Sequence, residues 1–173
     1  MKIIIVGESG SGKDTILSLF KQVPDWHIII SRTTRPRREG EPADAYIFST
    51  EQDYLEQNAH GRIFEEIIFN YNRYWTLSDD YIHESWVIIT ETAGAFTLKD
   101  RFPDAFILYV KTDRAIRIER AGIDRVNRDA TTFSCFPCDY VIENNGDKQE
   151  LVDRLKRALT HFSYIQSSRT SII

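Results

Sequence analysis

The chain has 173 residues, 42% of them hydrophobic, and a formal net charge of −4 at pH 7. This length suits one domain with a well-buried core and is too short for two full domains. The excess of acidic residues argues against general nucleic-acid affinity, because binding along a phosphate backbone needs a surplus of basic residues. There is no apolar run near the roughly 18 residues of a membrane helix and no signal-peptide cleavage pattern, so we expect a cytoplasmic protein without nucleic-acid or membrane partners.

Apolar, β-branched runs predict strands at residues 2–6, 27–30, 86–89 and 105–110, with a further short strand at 140–142. Helical patterns lie between and after them, at residues 13–22, 51–58, 94–101, 114–120 and 148–162, followed by a tail at 167–173 that we expect to be frayed. Strands that alternate with helices predict a parallel sheet covered on both faces, a three-layer α/β/α fold.

Residues 36–76 break this alternation, because they combine short alternating segments at 45–49 and 62–68 with a single helix. This pattern favours a small inserted lobe. Residues 1–35 and 77–173 would then form the core of the same domain, including a lid near 117–133. Cys135 and Cys138 form a lone CFPC motif, whereas a zinc site usually needs four ligands, so we expect two free, partly buried thiols.

A glycine-rich turn directly follows the first strand and opens the first helix. It reads GESGSGKDT and matches the GxxxxGK pattern of the Walker A loop, which predicts a P-loop NTPase fold. Glycines let backbone N–H groups turn toward one anion, the helix N-terminus adds about half a positive charge, and the lysine reaches the β- and γ-phosphates of ATP. The predicted ATP-binding residues of this loop are Gly7, Ser9, Gly10, Ser11, Gly12, Lys13, Asp14 and Thr15.

Asp14 stands where the Walker A pattern normally has Ser or Thr, whose hydroxyl holds a magnesium ion. A carboxylate can hold the ion directly or through water, and Thr15 supplies a hydroxyl one residue later. We therefore expect Asp14 to help place the Mg²⁺ that accompanies ATP.

A basic segment with hydroxyl residues, SRTTRPRREGE, follows the second strand. Arginine forks suit a phosphate dianion, although a solvated run of charge is the alternative. The segment resembles the guanylate kinases, in which STTR-x-x-R-x-GE followed by a tyrosine comes after the second strand. The resemblance implies a nucleoside monophosphate acceptor whose phosphate is bound by Ser31, Arg35, Arg38 and Tyr46.

Two later stretches, IFEE around Glu65 and YWT at 74–76, are similar to the family's glutamate and YG[ST] pattern. By resemblance, Glu65 accepts hydrogen bonds from the N1 and amino donors of guanine, Thr76 contacts the guanine carbonyl, and Tyr74 touches the acceptor phosphate. Adenine presents the opposite pattern on that edge, so a buried carboxylate would select guanine. Trp75 replaces the glycine of the family pattern, and either packs into the core or stacks near the base.

The arginines after the fourth strand resemble the lid of the guanylate kinases, which closes over the phosphates being exchanged. The resemblance favours Arg120, Arg125 and Arg128 as lid residues, while Arg117 is expected to be a solvated helix residue.

Two residues near other strand ends complete the predicted site. Glu91 follows the third strand, where ligands collect in open α/β sheets, and is expected to assist the acceptor or the water shell of magnesium. It remains from an acidic pair in the family, since Ile89 takes the place of the first acid; an ordinary exposed glutamate is the alternative. Asn144 resembles the late asparagine that contacts the adenine of ATP, although Asn-Asn-Gly is also a common turn.

These features predict a nucleoside monophosphate kinase that transfers the γ-phosphoryl group of ATP to GMP or dGMP. Phosphoryl transfer depends on positioning and charge neutralisation, so the predicted catalytic residues are Lys13, Arg35, Arg120, Arg125 and Arg128. Three alternatives stay open: a broader deoxynucleoside monophosphate kinase, a ribose 1,5-bisphosphate kinase, and a non-catalytic guanylate-kinase-like binding module. The sequence predicts no particular oligomeric state.

Overall fold

A five-stranded parallel sheet forms the centre of the molecule. The structure is a computed structural model that describes residues 1–128, 133 and 136–170, without the side chains of residues 128, 169 and 170. Numbered in chain order, the strands of this sheet are β1 (Lys2–Val6), β2 (His27–Ile29), β7 (Trp86–Ile89), β8 (Phe106–Lys111) and β9 (Tyr140–Glu143). Their order is β2-β7-β1-β8-β9, and every pair is parallel.

Helices cover both faces of this sheet. Because side chains alternate along a strand, Ile3 and Ile5 of β1 pack on one face with helices α1 (Lys13–Phe20) and α6 (Lys148–Thr170). Ile4 and Val6 pack on the other face with α3 (Thr92–Arg101). The remaining helices are α2 (Glu51–Ala59), α4 (Arg114–Ala121) and α5 (Ile123–Arg128). The predicted three-layer α/β/α fold is confirmed.

A second, four-stranded sheet occupies the region where the sequence predicts an inserted lobe. Its strands are β3 (Arg32–Thr33), β4 (Ile47–Phe48), β5 (Ile63–Phe69) and β6 (Asn72–Leu77), in the order β4-β3-β6-β5. β6 pairs antiparallel with both β3 and β5, whereas β3 and β4 are parallel. The sheet therefore begins at Arg32, before the expected start of the lobe at residue 36.

Trp75 lies in the small core of this second sheet and is fully buried. Its indole nitrogen donates to Oε1 of Gln57 at 2.8 Å, and its ring meets Tyr54 of α2 edge-on at 5.3 Å. The interpretation of Trp75 as a core residue is confirmed, and the alternative of stacking on a base is wrong.

Two features add to the sequence-based prediction: a turn that was not predicted from the sequence, and a longer last helix. The β5–β6 hairpin turns at Asn70 and Tyr71, both with positive φ (49° and 62°), which is the conformation of a tight two-residue turn. The last helix continues to Thr170 instead of ending at residue 162, because Ile165 packs against the main core and extends its apolar face. The expectation of a frayed tail from residue 167 is therefore wrong as far as Thr170.

In the described ranges, no helix combines the length and the apolarity needed to cross a bilayer. Cys138 is a free, half-buried thiol, as expected. Cys135 lies outside the described residues.

Candidate active site

A cavity of about 430 Å³ lies between the two sheets, next to the carboxyl ends of β1 and β7, and has the size of a small-molecule site. The predicted site residues on its wall are Ser9, Gly10, Gly12, Lys13, Asp14, Thr15, Ser31, Arg35, Arg38, Tyr46, Glu65, Tyr74, Glu91, Arg120 and Arg125. Ile67, Phe69, Ile89, Thr90 and Ala121 complete the wall. The fold thus gathers residues from the regions of both sheets and from helices α4 and α5 around one space.

The glycine-rich loop is packed tightly against the elements behind it. Gly10 and Gly12 adopt left-handed conformations, with φ of 78° and 97°. A Cβ atom on Gly10 would lie 2.7 Å from the carbonyl oxygen of Arg117, and one on Gly12 would lie 2.2 Å from Nδ2 of Asn144. Both positions therefore require glycine for two reasons, the backbone conformation and the lack of space.

The Lys13 ammonium group folds back over this loop. It donates to the carbonyl oxygens of Gly7 at 2.5 Å and Glu8 at 3.1 Å, and it also lines the cavity. A helix N-terminus with a lysine at its first residue is a site for phosphate groups.

Asn144 supports the loop from behind. Its side chain is 6% exposed, and Nδ2 donates to the carbonyl oxygen of Ser11 at 2.7 Å. Thr112 donates to the same Ser11 oxygen at 3.0 Å and to the carbonyl oxygen of Asn144 at 3.2 Å. The structure therefore uses Asn144 to hold the loop backbone, which differs from the expected contact with an adenine base.

Arg35 and Arg38 lie in a loop that Glu41 holds closed. Arg35 donates from both terminal nitrogens to Glu41, at 2.7 and 3.0 Å, and the backbone N–H of Arg38 donates to the same carboxylate at 3.0 Å. The hydrogen bonds from Arg35 lower the pKa of Glu41. Nε of Arg35 is buried without a hydrogen-bond partner among the described residues, so this guanidinium has donor capacity left for a ligand.

Positive charge accumulates at this end of the cavity. Burial lowers the pKa of Arg38, and the neighbouring charges of Arg35 and Arg125 lower it further. Arginine stays protonated despite such shifts, so the three guanidinium groups repel one another. A phosphate dianion placed among them would relieve that repulsion.

Tyr46 and Tyr74 stand beside these arginines. Their rings meet edge-on at 5.6 Å, and the guanidinium of Arg35 lies 5.2 Å from the Tyr46 ring centre. Burial, followed by the charges of Tyr74 and Asp14, raises the pKa of Tyr46 to about 12. The Tyr46 hydroxyl therefore stays protonated at neutral pH and is available as a donor.

Glu65 brings a carboxylate to the opposite part of the wall. A register shift in β5 between Ile63 and Glu65 places Glu65 opposite Thr76 of β6. Such irregularities re-aim side chains near functional sites. Glu65 is 3% exposed, and burial raises the pKa of its carboxyl above the ordinary value.

Thr76 lies behind Glu65 and not on the cavity wall. Its side chain is fully buried, with Oγ1 3.4 Å from Oε2 of Glu65 and 2.9 Å from the Tyr81 hydroxyl. The expected contact of Thr76 with a base carbonyl therefore differs from the observed geometry, in which Thr76 supports the Glu65 carboxylate.

Helix α4, in the region predicted to form a lid, contacts the glycine-rich loop directly. Arg117 is 7% exposed, so the expectation of a solvated residue is wrong: its guanidinium lies 3.6 Å from Glu8 and donates to the Thr112 carbonyl oxygen at 3.1 Å. Glu8 also accepts from the hydroxyl of Tyr109 at 3.0 Å. A charge can be buried in this way because a partner of opposite charge faces it.

The three predicted lid arginines have different positions. Arg120 on α4 donates to the carbonyl oxygen of Asn144 at 3.2 Å, and Arg125 on α5 lines the cavity. Arg128 ends α5, and its side chain lies outside the described part of the chain.

The guanylate kinase family model matches residues 1–162 of the chain. The chain belongs to the guanylate kinase family. It is 38% identical over 139 residues to the guanylate kinase of Helicobacter hepaticus, and this match covers 76% of this chain and 70% of that enzyme. It is 32% identical over 115 residues to the guanylate kinase of Nostoc sp., where the match covers 62% of this chain and 58% of that enzyme.

A solved structure agrees with this family assignment at the level of the fold. The guanylate kinase from Anaplasma phagocytophilum superposes with a TM-score of 0.73 at 24% identity, covering 92% of this chain and 85% of that chain. The predicted P-loop NTPase form of the α/β fold is thereby confirmed.

Sequence reasoning missed three residues that shape this family member's site. Glu41 belongs to the basic motif but received no role, although an acid close to several arginines indicates an ion pair. Thr90 directly follows an apolar strand, a position that indicates a ligand-side residue. Glu8 carries no local signal, because its partners Tyr109 and Arg117 are distant in the sequence.

Proposed function

We propose that the chain transfers the γ-phosphoryl group of ATP to GMP or dGMP, producing ADP and GDP or dGDP. The observation that carries this proposal is the meeting, in one cavity, of the Walker lysine Lys13, the arginine pair Arg35 and Arg38, and the buried carboxylate of Glu65. A triphosphate site, a monophosphate site and an acceptor of two base donors are the three elements that a guanine nucleotide kinase needs.

In this proposal the acceptor phosphate is held by Arg35, Arg38 and the hydroxyl of Tyr46. One of its oxygens forms the new bond to the γ-phosphorus as the bond from the γ-phosphorus to the β–γ bridging oxygen breaks. The attacking oxygen is already ionised, so no general base is required. Lys13 and Arg125 neutralise charge on the transferring group, and in-line positioning supplies most of the remaining acceleration.

The cavity also has suitable donors for the magnesium ion that accompanies ATP. Asp14, Thr15 and Glu91 all line it, and carboxylate and hydroxyl oxygens are the ligands that Mg²⁺ prefers. These residues would hold the ion together with the phosphates. When bound, the ion would offset phosphate charge during transfer.

Replacing Asp14 with alanine is expected to raise the magnesium concentration for half-maximal activity roughly tenfold, because one charged ligand, worth about 1.4 kcal/mol, is lost. ADP release titrated with MgCl₂ at fixed ATP measures this shift. Asp14→Asn keeps the shape of the side chain and removes its charge, so its magnesium concentration for half-maximal activity should lie between those of the parent chain and Asp14→Ala. An unchanged magnesium dependence in both variants would remove this role from Asp14.

The acceptor is tested by ADP release from Mg-ATP with GMP, dGMP, AMP, dTMP, CMP, UMP and ribose 1,5-bisphosphate. Turnover is expected with GMP or dGMP, and Glu65→Ala should reduce kcat/KM for that acceptor by at least about 10²-fold, since the base donors lose their buried acceptor. Glu66→Ala is the matched control: Glu66 is exposed and contacts Tyr54 and Arg73.

Different outcomes of this assay point to different functions. Preference for another acceptor would keep the kinase activity and overturn the role of Glu65. Absence of turnover with every acceptor would favour the non-catalytic binding module. The relatives from Helicobacter hepaticus and Nostoc sp. are guanylate kinases, and neither favours the ribose bisphosphate or broad deoxynucleotide alternatives.

A further inference from the structure

Thr90 is a buried hydroxyl residue on the cavity wall, directly after the last residue of β7. Its Oγ1 donates to Oε1 of Glu65 at 2.9 Å. Thr90 follows a strand of the central sheet, whereas Glu65 belongs to β5 of the second sheet. This one hydrogen bond therefore joins the two sheets at the carboxylate proposed to read the base.

The surroundings of Glu65 leave it little freedom. Gly94 of α3 lies so close that a Cβ atom there would be 2.0 Å from Oε1 of Glu65 and 2.2 Å from Oγ1 of Thr90. Among the described residues, the hydrogen bond to the other carboxylate oxygen comes from Thr76 and is 3.4 Å long. Thr90 thus makes the shorter of the two side-chain hydrogen bonds that orient this carboxylate.

The same hydroxyls influence the charge of Glu65. Burial raises the pKa of its carboxyl, and the hydrogen bonds from Thr90 and Thr76 act in the opposite direction, Thr90 more strongly. Tyr81, on the short 3₁₀ turn Ser78–Tyr81, is the titratable neighbour, and burial raises its pKa, so it stays neutral. Glu91 faces the same cavity from the start of α3.

We propose that Thr90 is a positioning residue for guanine recognition, which fixes the orientation of the Glu65 carboxylate through a hydrogen bond between the two sheets. The proposal rests on the proposed function, since it assumes that Glu65 accepts hydrogen bonds from guanine. An ionised carboxylate with one lone pair of each oxygen occupied by a threonine presents its remaining lone pairs to the N1 and amino donors of the base. Loss of the Thr90 hydroxyl would disturb both the orientation and the ionisation of the Glu65 carboxylate.

The test is GMP binding, measured by calorimetry from pH 5 to pH 9 with the parent chain, Thr90→Val and Thr90→Ser. Binding requires ionised Glu65, so affinity is expected to fall as the pH falls. Removing the Thr90 donor raises the pKa of Glu65. The acid limb, which is the fall in GMP affinity at low pH, is therefore expected to begin about one pH unit higher in Thr90→Val than in the parent chain. Near neutral pH, Thr90→Val is expected to bind GMP about tenfold more weakly. Thr90→Ser keeps the donor and should restore the parent profile.

Controls separate this role from general damage. Thr97→Val removes an exposed hydroxyl on α3 that donates to the Ala93 carbonyl oxygen of the same helix at 3.3 Å, and it should leave GMP binding unchanged. The phosphate of GMP titrates equally with every variant, so differences between variants report on Glu65. If Thr90→Val binds GMP with the parent acid limb, the role of Thr90 is overturned while the proposed function stands. If the parent chain itself does not bind GMP, both are overturned.

Discussion

Replacing Lys13 with alanine is expected to reduce kcat by at least about 10³-fold and to change the affinity for GMP by less than about twofold. The ammonium group is the cation placed at the helix N-terminus, where phosphate charge must be neutralised in the transition state, and such groups contribute about 10² to 10³-fold or more each. It also donates to the carbonyl oxygens of Gly7 and Glu8, so its loss removes two hydrogen bonds that hold the loop. The proposed acceptor residues lie mainly in the second sheet and in the segments next to its strands, and they are expected to keep their contacts.

Single-turnover ADP release measures the chemical step, and a calorimetric titration with GMP measures the acceptor site in the same variant. Lys21→Ala is the matched control, since Lys21 caps the same helix, is exposed, and pairs with Asp44 at 2.7 Å. Parent-like kcat in Lys13→Ala would contradict the assignment of this loop as the catalytic phosphate site. Equal loss of GMP binding would instead indicate that the whole cavity had collapsed.

Replacing Gly94 with alanine is expected to weaken GMP binding by about 10²-fold or more while leaving ATP binding unchanged. The added carbon would lie 2.0 Å from Oε1 of Glu65, far inside contact distance, so the carboxylate must move by about 1 Å. Misplacement of a recognition group by that distance can cost about 10²-fold. Helix propensity favours alanine over glycine by about 1 kcal/mol, so the substitution does not disfavour α3 as a helix.

Binding of GMP and of ATP by calorimetry, with thermal unfolding measured alongside, resolves this prediction. The neighbouring substitution Ala93→Gly alters helix propensity in the opposite sense at an exposed position, and it should leave both affinities unchanged. A Gly94→Ala variant that binds GMP as tightly as the parent would show that Glu65 can be displaced without loss, which contradicts its role as the base acceptor.

The central sheet could be predicted from the sequence because its strands are buried on both faces and therefore consist of continuous apolar runs. The second sheet was harder to predict. Thr33 lies in the two-residue strand β3, whose partner β6 is distant in the sequence, and the β5–β6 turn uses Tyr71 at a positive φ where glycine is usual. The last helix was predicted too short, because the serines around Ile165 weaken the helical pattern of apolar residues in the sequence.

The site was predictable where a contiguous motif carries the chemistry, as in the glycine-rich loop and the basic segment after β2. It was not predictable where a role depends on a distant partner. Arg117 reads as a solvated helix residue, yet Glu8 lets it be buried. Asn144 is adjacent to a turn in the sequence, but its amide reaches the backbone of Ser11 through tertiary packing that no local pattern records.

Helices α4 and α5, in the region predicted to form a lid, differ in how they are connected to the rest of the structure. Through the close approach of Arg117 to Gly10, and through the bond from Arg120 to the Asn144 carbonyl oxygen, α4 packs against the glycine-rich loop and the residue that supports it. α5 follows a single glycine with a positive φ of 83°, Gly122, and a Cβ atom there would have no atom of the described residues within 4 Å. We therefore expect Arg120 to keep its distance from Lys13 when nucleotides bind, and Gly122 to be the residue about which Arg125 turns toward the proposed phosphate site.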